Sequence, residues 1–231
     1  MTDLKEKIII ALDFARYEEA KKCVEQLQDA VFFKVGLQAF LEYGHLIIAF
    51  LKNNKKKLFL DLKFKDIPNT VHGAVMSSFI HEPDFLTIHV SGGAEMIRQA
   101  LEAAKKKRGL TILGVTVLTS LSGDDLKETG VNLSTEDAVL RLCQLGLANR
   151  LNSFVCSPLE IEPIRKRFGN DVVLVTPGIR PQWSVKGDQK RVFTPKMAVE
   201  AGANYLVIGR PITQADNPQE AFNRILAEIS A

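Results

Sequence analysis

Leu58-Phe59-Leu60-Asp61-Leu62-Lys63-Phe64-Lys65-Asp66-Ile67-Pro68-Asn69-Thr70 decides the reading of this chain, because an apolar strand runs into an Asp, Lys, Asp set where a barrel wants Leu or Val. Successive side chains of a strand point to opposite faces, so the leucines share one face while Phe59, Asp61 and Lys63 share the other. A bare Asp-x-Lys is ordinarily a surface ion pair. Here the apolar flanks argue for burial, which costs several kcal/mol per charge unless the charges pair, and an amine between two carboxylates is a compensated way to bury them. The same neighbours favour the charged ammonium of Lys63, which makes it a proton donor rather than a nucleophilic amine.

Outward from this stretch, short apolar runs rich in β-branched residues recur at 8–12, 31–35, 58–62, 85–89, 111–117, 153–156, 172–175 and 205–208. Amphipathic helical patterns lie between them, for example at 18–27, with Ala20, Val24 and Leu27 on one face, and at 94–104, 135–147 and 219–229. About eight strand-helix units in a chain of this size predict an α/β fold, a closed (β/α)8 TIM barrel forming a single domain over residues 1–231. An open doubly wound sheet is the alternative. A Rossmann sheet, however, wants a Gly-x-Gly-x-x-Gly after its first strand, and Ala11-Leu12-Asp13-Phe14 stands there instead.

Composition narrows the function classes. The 231 residues are 46% hydrophobic and 25% charged with a formal charge of +3, an ordinary globular balance with enough apolar material for a substantial core. The basic clusters Lys55-Lys56-Lys57 and Lys105-Lys106-Lys107-Arg108 carry no interleaved aromatics, so they read as solvated turns and no nucleic-acid partner is expected. No apolar run approaches the ~20 residues of a membrane span, and 8–12 is too short for a signal-peptide core, so a cytoplasmic protein is expected. Three widely spaced cysteines, Cys23, Cys143 and Cys156, suit free thiols in a reducing compartment. The four histidines, His45, His72, His81 and His89, show no ligand spacing, and no metal site is expected.

Barrel active sites lie at the C-terminal strand ends, so polar residues there are the candidates. Asp13 ends the first strand, although an acid in that place also serves as a helix cap. Lys34, inside Phe32-Phe33-Lys34-Val35-Gly36, needs an anionic partner or a ligand. Asp61 and Lys63 end the third strand, His89 the fourth, and Thr119 and Ser120 follow the fifth. Thr176-Pro177-Gly178-Ile179-Arg180-Pro181 and Ile208-Gly209-Arg210-Pro211-Ile212-Thr213 are Gly-Arg loops after strands seven and eight, where such barrels commonly bind phosphate through backbone N–H groups and a forked arginine. Singly, each could equally be a turn with a surface arginine. The polar, aperiodic segment 182–190 is the candidate for a mobile lid.

With Asp61-x-Lys63-x-x-Asp66-Ile67-Pro68-Asn69-Thr70, Pro177-Gly178-Ile179-Arg180-Pro181, Gly187-Asp188-Gln189 and Val207-Ile208-Gly209-Arg210-Pro211 in this order, the chain resembles the bacterial type of the orotidine 5'-phosphate decarboxylases. The resemblance runs from Ala11-Leu12-Asp13 to the last helix. It implies a carboxy-lyase that converts orotidine 5'-monophosphate to uridine 5'-monophosphate in de novo pyrimidine biosynthesis, with no cofactor and no metal, as a homodimer with shared active sites. It implies Lys63 as proton donor to C6 of the pyrimidine and Asp61 as the carboxylate beside the substrate carboxylate. Asp66 and Thr70 are then the residues that reach the neighbouring subunit's site, Thr70 near the ribose. Asp13 and Lys34 match ribose positions, Thr119 and Ser120 the pyrimidine contact, and Arg180, Gln189, Gly209 and Arg210 the phosphate site. One departure is visible at Trp183, where a small residue, often glycine, is expected. Two rivals remain: a sugar-phosphate decarboxylase, aldolase or epimerase that shares Asp-x-Lys-x-x-Asp and uses a divalent metal, and a non-catalytic phosphate-binding barrel.

Overall fold

The computed structural model describes residues 4–184 and 193–230. Eight parallel strands close on themselves in sequence order, and β8 pairs with β1, which excludes the open sheet. The strands are β1 (Ile8–Ala11), β2 (Phe32–Gly36), β3 (Lys57–Phe64), β4 (Phe85–His89), β5 (Thr111–Val115), β6 (Ser153–Val155), β7 (Val173–Thr176) and β8 (Tyr205–Ile208). Around them run α1 (Tyr17–Gln26), α2 (Leu37–Asn53), α3 (Pro68–Ser78), α4 (Ala94–Ala104), α5 (Gly123–Glu128), α6 (Thr135–Ala148), α7 (Ile161–Phe168), α8 (Pro195–Glu200), α9 (Arg210–Thr213) and α10 (Pro218–Ser230). Most expected strands fall within two residues of these bounds.

The core has two layers because both faces of each strand are covered. Outward-facing residues such as Ile10, Leu58, Leu60 and Ile88 pack against the helices. Inward-facing Ile9, Phe32, Phe59, Phe85, Leu113, Val175 and Val207 fill the barrel itself. Phe32, Phe59, Phe85 and Tyr205 form an aromatic group, with the tilted rings of Phe32 and Phe85 4.9 Å apart and the edge-to-face rings of Phe85 and Tyr205 5.1 Å apart. Helix starts follow from local chemistry. The Ser134 hydroxyl accepts from Asp137 N–H at α6, Ser122 and Asp125 form a reciprocal capping box at α5, and Pro68 occupies the first turn of α3.

The ladder is interrupted beside the third strand's charged end. Between β3 and β4 the register runs Leu60 opposite Leu86 and then Phe64 opposite Ile88, so Asp61, Leu62 and Lys63 face Thr87 alone. Such a bulge re-aims side chains. Lys63 takes φ of 53°, in the left-handed region that few residues other than glycine adopt. Simple alternation predicts the inward aim of Phe59 and Asp61. Lys63 reaches the same mouth by a bulged and strained backbone.

The three cysteines are buried free thiols. Among the described residues no helix is long and apolar enough to cross a membrane.

Glu160 is a buried acid without a basic partner among the described residues, and its Oε2 accepts only the Ser157 N–H at 2.8 Å. Burial raises its carboxyl to about 7, with the Ser157 bond acting in the opposite direction. The folded chain therefore holds a proton that the unfolded chain has lost above its ordinary value of 4.5, and stability falls as pH rises from 4.5 towards 7. Glu160→Gln keeps an acceptor for Ser157 and removes the ionisation. Its stability relative to the parent is expected to rise by up to about 3 kcal/mol between pH 5 and pH 8 in urea titrations. Parallel pH dependences of the two proteins would refute this account.

Candidate active site

The strand ends bring together four charges that alternate in sign. Lys34 Nζ lies 3.2 Å from Asp13 Oδ1 and 3.4 Å from Asp61 Oδ2, and Lys63 Nζ donates to both Asp61 oxygens at 2.9 Å. Asp61 and Lys34 are nearly buried, with 11% of each side chain exposed, so each ion depends on its neighbours for compensation. Burial pushes the Asp61 carboxyl upward, but Lys34, Lys63 and hydrogen bonds from Lys63 and Thr87 outweigh it and hold the group below the usual carboxylate range. It is a carboxylate at neutral pH. Asp13 is thus an ion-pair partner of Lys34 rather than a helix cap. Gly36 permits this packing, since a Cβ there would stand 3.1 Å from Lys34 Nζ.

These groups line a cavity of about 320 Å³ at the C-terminal ends of the strands. Its apolar wall includes Ala11, Phe59, Val115, Val117, Val155 and Val207, and its polar wall Asp13, Lys34, Asp61, Lys63 and Thr119. Arg180 and Arg210 line the same cavity with Gly178 and Gly209, so the two Gly-Arg loops converge on one site. The Arg180 N–H donates to Phe193 O at 3.1 Å, which ties the loop after β7 to the segment leading into α8. Gly178, at φ of 80°, allows the turn that presents Arg180.

Other candidates lie elsewhere. Ser120 is exposed beside Thr119 and does not line the cavity. Asp66 and Thr70, at the start of α3, are exposed and outside it, and the Asp66 carboxylate accepts the N–H of Ile67 at 2.7 Å. Within one chain Lys63 is therefore paired with Asp61 and not set between Asp61 and Asp66. Gln189 and most of the lid candidate lie outside the described residues. Trp183 is described, and the Arg224 guanidinium of α10 stacks 4.3 Å from its ring centroid. His89 is partly buried at the end of β4; burial first, then Lys65 and Lys63, lower its pKa, so it is neutral at pH 7. Among the described residues no group of three or more His, Cys, Asp or Glu could hold a metal ion.

Sequence reasoning passed over Thr87. Its side chain is fully buried, its hydroxyl donates to Asp61 Oδ1 at 3.0 Å, and its oxygen accepts the Lys63 N–H at 2.9 Å. A threonine in mid-strand reads as an ordinary β-former, and only the bulge opposite gives it this place.

Comparison with known proteins agrees with this geometry. The chain is 45% identical over 227 residues to the orotidine 5'-phosphate decarboxylase of Actinobacillus succinogenes, covering 97% of this chain and 98% of that protein. It is 40% identical over 229 residues to the enzyme of the same name from Gloeothece citriformis, covering 98% and 99%. The crystal structure of orotidine 5'-phosphate decarboxylase from Lactobacillus acidophilus superposes with a TM-score of 0.87 at 36% identity, over 98% of this chain and 100% of that one. Residues 6–225 match the model of the Orotidine 5'-phosphate decarboxylase / HUMPS family, and the chain belongs to that family.

Proposed function

We propose that this chain decarboxylates orotidine 5'-monophosphate to uridine 5'-monophosphate, a step of pyrimidine biosynthesis, without cofactor or metal, and that Lys63 supplies the proton. The observation that carries this reading is the compensated Asp13, Lys34, Asp61, Lys63 chain in a cavity that Arg180 and Arg210 also line. In the reaction the bond from C6 to the carboxyl carbon breaks, carbon dioxide leaves, and the electron pair stays on C6 in the ring plane, where it delocalises poorly. A fixed positive charge at that carbon is what the step needs. The Lys63 ammonium, oriented by two hydrogen bonds to Asp61, meets this need and then transfers a proton to C6, becoming a neutral amine that solvent recharges. Preorganised charge of this kind is usually the largest catalytic contribution.

The remaining roles are those the family resemblance implies. Asp13 and Lys34 hold ribose hydroxyls, Thr119 with its neighbour Ser120 meets the pyrimidine, and Arg180, Gln189, Gly209 and Arg210 take the 5'-phosphate. Asp66 and Thr70 complete the site of a second subunit. Ile67, next to Asp66 and 67% exposed, supports a homodimer that covers this surface. A sugar-phosphate enzyme with the same Asp-x-Lys-x-x-Asp would need a divalent metal. Turnover of orotidine 5'-monophosphate, followed spectrophotometrically and undiminished by a chelator, separates the two.

Arg210 gives a sharper test. Among the described residues no carboxylate pairs with it, which leaves its guanidinium for a ligand anion. Arg210→Ala is expected to lower kcat/KM for the nucleotide by about 100-fold or more, yet to change little for a substrate that lacks phosphate. Equal losses for both substrates would remove Arg210 from the phosphate role.

A further inference from the structure

From the bulge between β3 and β4 we infer that Thr87 is a positioning residue for the decarboxylation: its one hydroxyl clamps the backbone of Lys63 and the carboxylate of Asp61 into the geometry the reaction uses. The inference rests on the roles proposed for Lys63 and Asp61.

Three residues of β3 face Thr87 alone, so the regular ladder offers no backbone acceptor in register for the Lys63 N–H. The Thr87 oxygen takes that place at 2.9 Å. This bond lies at the residue whose φ of 53° would otherwise relax, because left-handed backbone is costly for a lysine and persists only when surroundings impose it. The same hydroxyl spends its single proton on Asp61 Oδ1 at 3.0 Å, which fixes the rotation of the carboxylate. With that plane set, Oδ2 faces both Lys34 and Lys63, and the Lys63 ammonium can bridge both oxygens. Thr87 is fully buried, so water cannot take over either bond. It does not line the cavity, and its influence on the substrate passes through its two partners.

The test compares Thr87→Val, nearly the same shape without the hydroxyl, with Thr87→Ser, which keeps the hydroxyl and loses the methyl. Thr87→Val is expected to lower kcat by about 10- to 100-fold with KM within about twofold of wild type, since a displacement of ~1 Å at a reacting group costs rate on this scale. Thr87→Ser should recover kcat to within about threefold. If Thr87→Val does not fold, Thr87→Ala replaces it in the comparison. Loss of equal size in the Ser and Val proteins would make the role one of packing and overturn the inference. So would a Val protein with wild-type kcat, or one impaired in KM alone. Lys63→Ala run alongside keeps the two ideas apart: substantial activity in that variant defeats the proton-donor role of Lys63, whereas the Val and Ser comparison judges Thr87.

Discussion

Lys63→Ala is expected to abolish turnover while leaving the barrel folded. Positioned proton transfer is usually worth at least ~100-fold, and here the same ammonium also stabilises the charge that develops on C6, so the loss should exceed that figure. The fold should survive for a reason visible in the site. Removing one partner of a buried pair is ordinarily costly, but Asp61 keeps Lys34 at 3.4 Å and the Thr87 hydroxyl at 3.0 Å, so the carboxylate is not left uncompensated. Alanine also inherits the same left-handed backbone at no greater penalty than lysine pays. A purified Lys63→Ala protein with native circular dichroism and less than a thousandth of the parent kcat is the expected result. Retention of a tenth of the activity would take Lys63 out of the proton-donor role.

Mixing an inactive Asp66→Ala protein with an inactive Lys63→Ala protein should restore activity. Asp66 is exposed on its own chain, outside the cavity, and paired with nothing stronger than a neighbouring N–H, whereas Lys63 lies in the cavity with Asp61 as its only ion-pair partner among the described residues. If Asp66 completes the charge set around the Lys63 of a second subunit, a heterodimer places both changes in one site and none in the other. Activity then returns at up to roughly half of the sites in each heterodimer, as a two-fold interface requires. Subunit exchange verified by mass, with activity still at the level of the separate variants, would mean that Asp66 acts within its own chain or not at all.

Much of the barrel was legible because its strands are short apolar runs at regular intervals, and because charges at strand ends have few purposes in a packed interior. Lys34 is the clearest case: a cation between Phe33 and Val35 had to find an anion, and it finds two. What escaped notice depends on contacts between strands. The bulge at Asp61, Leu62 and Lys63 follows from how β3 meets β4, and no pattern within either strand announces it. The helix α2 leaves Leu37, Leu41 and Leu46 exposed and bends at Tyr43, where φ is −148° and ψ 22°. The bulge expresses a partner strand that lies far away in sequence.

The aromatic group of Phe32, Phe59, Phe85 and Tyr205 plugs the barrel interior beneath the charged strand ends. The charged groups at the strand ends therefore stand on packed rings, which keep solvent from reaching them from behind.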